Sequence, residues 1–165
     1  MQNLMKSIST QWRQCCPELD TSPMVVAGHI LLAASLLQER LEPVFKRHGV
    51  SAGGFDVLAT LRRQGPPFEL TPTTLYKELL ITSGTMTHRL DGLEKLELIE
   101  RTSHPRDRRG LLVRLTKKGL TVTDVLIREH LENEKRLFKS ITTKEANNLT
   151  EILGKWIEML EDDLT

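Results

Sequence analysis

The chain has 165 residues, a formal net charge of +1 and 39% hydrophobic residues. This length fits one domain with appendages, and the composition is that of a folded globular protein, which excludes a disordered chain. The longest uncharged apolar run, residues 24–37, is shorter than the roughly 20 residues of a membrane span, so we expect neither a signal peptide nor a membrane anchor. The adjacent Cys15 and Cys16 cannot form a disulfide framework, and a reducing, cytoplasmic location is expected.

Charge is distributed unevenly along the chain. Residues 1–98 carry no net charge, residues 99–119 carry +5 and residues 120–165 carry −4. A concentrated positive block attracts phosphate backbones in a way that the total charge does not reveal. Taken alone, the block fits a solvated charged loop better, so its meaning depends on the elements beside it.

The first part of the chain is predicted to be helical. Hydrophobic periodicity predicts a long helix over residues 24–47, which Pro43 should kink or break, and a second helix over residues 54–63. The Gly-Pro-Pro sequence at residues 65–67 should end the second helix. Apolar residues on one face of each helix indicate a buried side.

Two short helices are predicted next, with a tight break between them. Thr71 should cap the first, with Pro72 at its first position. Its apolar residues are Leu75, Leu79 and Leu80. Thr82 or Ser83 should cap the second, which runs to about residue 96 with one apolar face.

The hydrophobic period then changes to that of β-strands. Residues 99–103 form one strand candidate, and residues 111–116 form another because their side chains alternate. Leu111, Val113 and Leu115 are predicted to face one way, and Leu112, Arg114 and Thr116 the other. The polar stretch 104–110 between the strands predicts a hairpin with a basic tip.

A pair of short helices followed by a basic-tipped hairpin is a winged helix-turn-helix, so the expected fold is mainly α with a small β-hairpin wing. The second short helix suits the major groove of double-stranded DNA. Candidates for base contact are Ser83, Thr85, Thr87 and His88. Candidates for contact with phosphates or the minor groove are Arg106, Arg108 and Arg109. Asp107 should pair with an arginine and orient it, and a surface hairpin with an internal salt bridge is the alternative.

Two further helices are predicted, one over residues 117–138 and one that opens at Thr142, where Glu145 completes a capping box. Together with the first long helix, they carry more apolar surface than a small helix-turn-helix lobe needs. A homodimer with two-fold symmetry would bury that surface and space two recognition helices about one turn of DNA apart. A monomer whose helices close their own core is the alternative.

Three segments of this region resemble the MarR family. They are residues 82–94, 98–101 and 107–119. The resemblance implies a dimeric winged-helix transcription regulator, usually a repressor, that binds pseudo-palindromic DNA and is often released by small ligands or oxidation. It also implies that Asp107 and Arg109 supply the ion pair and the minor-groove contact of the wing.

The resemblance also implies a division of the chain. Residues 1–23 form an N-terminal extension, expected to be an extra helix, and residues 24–163 form the MarR-type domain. Within that domain, the winged helix-turn-helix lobe covers about residues 50–118, and residues 24–47 and 117–163 hold the dimerisation helices.

Two charged residues fit DNA binding less well. Arg89 lies beside or on the buried stripe of the recognition helix, where a charge needs a partner or a solvated cleft. Asp56 is placed in a similar way between the apolar residues Phe55 and Val57. An ion pair between Asp56 and Arg89 would connect the scaffold to the recognition helix.

A narrower resemblance is to the PecS-type, urate-responsive branch of the family. It is carried by residues 53–63, 65–67 and 70–76. It implies that Trp12, Asp56 and Arg89 surround a purine-like anion such as urate, while Arg101 helps to transmit the change. A flat anion suits an indole and a guanidinium fork. A histidine that some members carry would fall at Ala52 and is absent. Terminal packing by Trp12 and a structural salt bridge are the alternatives.

Other chemistry has less support in the sequence. Cys15 and Cys16 could sense oxidation, although adjacent cysteines form only a strained disulfide. The five histidines lack paired ligand spacing, and no phosphate loop, nucleophile elbow or metalloprotease motif is present. We therefore expect no catalytic residues, no metal and no cofactor. Besides a DNA-binding regulator and an enzyme, a third interpretation is a helical interaction module that does not bind DNA.

Overall fold

The computed structural model describes residues 2–104 and 107–162, and within these ranges the side chains of residues 2–6, 9, 104 and 107–109 lie outside the described part. The architecture is mainly α with a small antiparallel sheet, as predicted. In chain order the elements are α1 (Gln2–Cys15), α2 (Ser22–Lys46), α3 (Ala52–Arg63), β1 (Glu69–Leu70), α4 (Pro72–Glu78), α5 (Ser83–Lys95), β2 (Ile99–His104), β3 (Asp107–Leu115), α6 (Lys117–Leu137) and α7 (Thr143–Asp162).

Side-chain caps begin several of these helices where the sequence predicts them. The hydroxyls of Thr71 and Thr82 accept hydrogen bonds from backbone amides at the starts of α4 and α5. Thr142 and Glu145 form the predicted capping box before α7, with the Thr142 amide donating to the Glu145 carboxylate at 2.7 Å. Helix α3 begins two residues earlier than predicted because Ser51 caps it.

The end of α4 differs from the prediction. The helix ends at Glu78, so Leu79 and Leu80 lie beyond it. Leu80 has φ +51° and is 83% exposed. The reason is a C-terminal capping motif, in which the amides of Leu80 and Ile81 turn back to carbonyls of the last turn and stop the helix.

The sheet has the order β1-β3-β2, with both pairs of strands antiparallel. The predicted loop is shorter than residues 104–110, because β2 continues to His104 and β3 begins at Asp107. The two-residue strand β1 is too short to show a period and was not predicted. It pairs with β3, where Arg114 donates to the Glu69 carboxylate at 2.7 Å.

The predicted alternation in β3 is correct only in part. Val113 and Leu115 are buried, whereas Leu111 is 40% exposed and Leu112 is buried instead. Leu111 pairs with Ser103, next to an irregularity in the β2–β3 pairing. The regular alternation therefore ends at this point.

The core lies between α3, α5, the sheet and the first half of α6. Its fully buried side chains include Leu58, Leu61, Leu75, Met86, Leu90, Ile99, Val113 and Leu126. Helix α2 contributes Val44 and Phe45 from its last turns, while α7 contributes no buried residue. The core is thus concentrated in the lobe that contains α4, α5 and the sheet.

Helix α2 is long enough to cross a membrane, and an 18-residue window within it has a mean hydropathy of 1.3, by length and composition only. This differs from the expectation based on residues 24–37, because the helix extends over 25 residues. The same helix packs against α1, α3 and α6. None of the apolar 18-residue window of α2 is buried within the single chain.

Gly119, in the first turn of α6, lies so close to the backbone of Leu98 that no side chain fits there. A Cβ atom at Gly119 would lie 1.8 Å from the backbone carbonyl oxygen of Leu98, which accepts a hydrogen bond from the Thr116 amide. We expect Gly119→Ala to lower the free energy of unfolding by about 3 kcal/mol, the upper end of the usual cost of overpacking.

Urea denaturation followed by circular dichroism measures this change. The matched control is Gly92→Ala in α5, where a Cβ atom meets nothing within 4 Å. That variant should gain roughly 0.5–1 kcal/mol from the better helix propensity of alanine. Equal stability of Gly119→Ala and the unmodified chain would show that the close approach is not a constraint.

Candidate nucleic-acid interface and effector cleft

Helices α4 and α5 form the helix-turn-helix unit, and α5 presents a polar face. Three side chains of α5, Met86, Leu90 and Leu93, are buried in the core. The four residues predicted to contact bases are all exposed; they are Ser83, Thr85, Thr87 and His88. They occupy the first two turns of α5, on the side opposite the core.

The start of α5 has a defined hydrogen-bonding pattern. Thr82 accepts from the Thr85 amide at 3.2 Å, and their hydroxyl oxygens lie 2.9 Å apart. The Thr87 hydroxyl donates to the Ser83 carbonyl at 3.0 Å and keeps its lone pairs for an incoming donor. A Cβ atom at Gly84 would meet nothing within 4 Å, so another molecule can approach the backbone closely there.

The tip of the wing lies largely outside the described part of the structure. Arg106 is not described, and of Asp107, Arg108 and Arg109 only the backbone is, as the start of β3. The ion pair expected between Asp107 and Arg109 therefore stays a prediction.

Arg101 braces the wing against α5. Its guanidinium donates to the Asp91 carboxylate at 2.6 Å and to the Glu94 carboxylate at 2.8 Å. Both acceptors lie on α5, three residues apart, so one arginine of β2 holds two turns of the recognition helix. Asp91 and Glu94 were not predicted from the sequence, although their spacing on one helix face is a recognisable signal.

The predicted ion pair between Asp56 and Arg89 is present. One Arg89 nitrogen lies 3.4 Å from the Asp56 carboxylate and donates to the Gly53 carbonyl at 3.2 Å. Burial raises the pKa of Asp56 above its ordinary value, and the nearby Arg89 and His130 lower it without cancelling that effect. The pair links α5 directly to α3.

Gly53 shapes the contact between α3 and Arg89, and it was not predicted from the sequence. A Cβ atom there would lie 2.5 Å from the guanidinium carbon of Arg89. The glycine therefore lets the guanidinium lie against the backbone of α3. The signal in the sequence is the Gly53-Gly54 pair at the start of a helix, where glycine otherwise lowers helix propensity.

Two clefts adjoin the ion pair. Arg89 lines a cleft of about 500 Å³ behind α5, together with Ser51 and Lys95. Asp56 lines a second cleft of about 650 Å³ between α2, α3 and α6. The Asp56–Arg89 contact therefore lies between two separate clefts.

Aromatic rings and carboxylates line the cleft at Asp56. Phe45 and Phe55 stack with ring centroids 4.6 Å apart, and the His130 ring lies 4.9 Å from Phe55. The His130 Nε2 atom is 3.2 Å from the Glu134 carboxylate. Its Nδ1 atom is buried without a hydrogen-bond partner in the described residues. A flat ligand with hydrogen-bonding groups suits this lining.

The structure does not bring all four predicted effector residues together. Asp56 and Arg89 are in contact, whereas Arg101 pairs with the carboxylates of α5. Trp12 is 36% exposed on α1, which packs against α2, and it is not among the described residues that line the Asp56 cleft. The sequence spacing could not show this separation.

Redox sensing and metal binding are the other kinds of chemistry that the sequence raises. Cys15 and Cys16 are free thiols at the end of α1, exposed and half-buried respectively, so the redox alternative stays untested. Among residues 2–104 and 107–162, no group of three or more histidine, cysteine or acidic side chains could hold a metal ion.

Comparisons with curated proteins identify relatives of this chain. Residues 48–110 match the MarR family. The chain is 35% identical over 151 residues to the HTH-type transcriptional regulator PecS of Dickeya dadantii, covering 92% of this chain and 91% of PecS. It is also 33% identical to the multiple antibiotic resistance protein MarR of Escherichia coli, covering 73% of this chain and 79% of MarR.

Solved structures of relatives include complexes with DNA. Sco3205 from Streptomyces coelicolor, a MarR family regulator in complex with DNA, is 27% identical with a TM-score of 0.78, covering 86% of this chain and 89% of Sco3205. An E. coli MarR variant in complex with operator DNA is 26% identical with a TM-score of 0.72, covering 82% and 96%. Regulators of this family have no cofactor and respond to small-molecule effectors. The chain therefore belongs to the MarR family and is a transcription regulator that binds DNA, not an enzyme.

Proposed function

We propose that this chain is a cytoplasmic, homodimeric repressor that binds a pseudo-palindromic operator and is released by urate or a related purine. The observation that carries the proposal is the exposed polar start of α5, which presents Ser83, Thr85, Thr87 and His88. Short donor and acceptor side chains of this kind hydrogen-bond to base edges in the major groove. Arg106, Arg108 and Arg109 of the wing, oriented by Asp107, would add contacts to phosphates or the minor groove.

Substitutions in α5 and the wing should affect DNA binding differently. Arg109→Ala should weaken binding to all DNA sequences and reduce the salt dependence by about one charge per protomer. His88→Ala should cost about 1–3 kcal/mol on the operator and little on unrelated DNA, because it removes a base contact. Fluorescence anisotropy with promoter DNA from the region beside its own gene, across a salt series, measures both effects.

The control for charge is Lys135→Ala, which removes one positive charge from α6, where Lys135 pairs with Glu132. This variant should bind DNA as tightly as the unmodified chain. An Arg109→Ala protein with unchanged affinity and salt dependence would remove the wing from the mechanism.

The argument for a homodimer is the apolar surface that one chain leaves exposed. Helix α7 has no buried residue, and its exposed apolar side chains are Leu149, Ile152, Trp156, Ile157, Met159 and Leu160. A continuous apolar groove of about 580 Å³ lies between α2, α6 and α7. Contact with a second copy would remove this surface from water, at roughly 25 cal/mol for each Å² buried.

A charge on the apolar face of α7 should separate the protomers. We expect Ile157→Glu to shift the protein from dimer to monomer in light scattering after size-exclusion chromatography, because an unpaired charge would be buried at the interface. Asn147→Glu is the matched control, since Asn147 is exposed on the polar face with Glu151 and Lys155. An Ile157→Glu protein that remains fully dimeric would contradict this interface.

The proposed release mechanism uses the link between α3 and α5. Arg89 holds the recognition helix to α3 through the Gly53 carbonyl and Asp56. An anionic ligand that engages the Arg89 guanidinium would compete with both contacts. Trp12 is not among the described residues that line either cleft, so its stacking on the flat face of the ligand would require a movement of α1. Such a ligand favours a different placement of α5, and this shifts the population away from the DNA-binding state. Arg101 would carry the movement of α5 to the wing.

Arg89→Met should abolish the response to urate while the protein remains folded. In the unmodified chain, millimolar urate or xanthine should raise the melting temperature and release DNA, and neither effect should occur in the variant. Arg63→Met is the control, because it removes an arginine from another ion pair between helices, with Glu78 at 2.7 Å. A full response in Arg89→Met, or none in the unmodified chain, would contradict the effector proposal and leave DNA binding intact.

A further inference from the structure

Within residues 2–104 and 107–162, four helices are followed by a residue whose backbone lies in the left-handed region. Helices α2 and α3 are followed by Gly49 (φ +70°) and Gly65 (φ +74°). Helices α4 and α5 are followed instead by Leu80 (φ +51°) and Glu97 (φ +61°). Glycine is preferred at this position because a Cβ atom destabilises the left-handed conformation. The two non-glycine residues therefore require an explanation.

The same backbone capping motif places both residues, because the amides of Glu97 and Leu98 return to carbonyls of α5 as those of Leu80 and Ile81 return to α4. The two residues differ in what their side chains contact. The Glu97 carboxylate pairs with the Lys118 ammonium group at 3.1 Å. Leu80 is 83% exposed, the largest exposed fraction among the large apolar side chains of the described residues. A strained backbone and an apolar side chain in water are both unfavourable in the free protein, and backbone outliers of this kind cluster at functional positions.

The place of Leu80 in the fold indicates what covers it. It lies two residues before Thr82, the N-cap of α5, and three before Ser83. The turn between α4 and α5 therefore presents one apolar side chain beside the polar start of the recognition helix. DNA offers apolar surface in and beside the major groove, namely the methyl groups of thymine and the carbons of deoxyribose.

We propose that Leu80 is a DNA-contacting residue whose side chain packs against apolar surface of the nucleic acid at the edge of the major groove. This inference rests on the proposed DNA interface, and it adds an apolar anchor to contacts that are otherwise polar or charged. Burial of the side chain in the complex offsets the strain that the free protein carries at Leu80.

The test separates stability from DNA binding. Leu80→Gly should raise the melting temperature by about 2–4 °C, since it relieves the left-handed strain. The same variant should bind the operator about tenfold more weakly, because the apolar contact is lost. Leu80→Asn, whose side chain tolerates the left-handed region, should also bind weakly, whereas Leu80→Met should retain most of the affinity.

Operators with uracil in place of thymine distinguish the two apolar surfaces. If Leu80 contacts a thymine methyl group, uracil should weaken binding of the unmodified chain but not of Leu80→Gly. If it contacts deoxyribose, the loss caused by Leu80→Gly should be equal on all sequences. Unchanged operator affinity in Leu80→Gly and Leu80→Asn would overturn this inference alone. Failure of the unmodified chain to bind promoter DNA would overturn it together with the proposed function.

Discussion

The placement of the exposed face of α5 depends on how firmly the opposite face is buried. Met86, Leu90 and Leu93 are at most 2% exposed, and the helical period then turns Ser83 and Thr87 outward. In a close-packed core, sliding or rotating this helix would open a cavity or cause a clash. The geometry of the exposed polar side chains of α5 therefore originates in apolar packing on the other side of the helix.

Two arginines add directional contacts to this packing, and they differ in geometry. Arg101 of β2 donates to two carboxylates of α5 at 2.6 and 2.8 Å. Arg89 connects α5 to α3 through longer contacts, 3.2 Å to a backbone carbonyl and 3.4 Å to Asp56. Charge-assisted hydrogen bonds weaken as they lengthen, so the link to α3 is the weaker of the two. Both clefts adjoin this link, and a ligand in either of them can therefore influence the recognition helix.

The order and type of the main elements were predictable because their signals are local. Thr71, Thr82 and the Thr142–Glu145 box cap their own helices within three residues. The errors occurred where a boundary depends on partners elsewhere. Strand β1 exists only because β3 lies beside it, and the alternation in β3 ends where its pairing with β2 becomes irregular. A two-residue strand has no period for the sequence to reveal.

The sequence by itself determined the fold class and the polar face of α5, because periodicity is a property of neighbouring residues, and its motifs determined the family. The pairing of Asp56 with Arg89 was predicted because each charge interrupts an apolar stripe and needs a partner. Only the tertiary structure decided that Gly53 accommodates the Arg89 guanidinium, and that Arg101 pairs with α5 rather than with the Asp56 cleft. It also decided that Leu80 lies outside its helix and in solvent. These features depend on the distances between separate elements, which packing sets and no local pattern encodes.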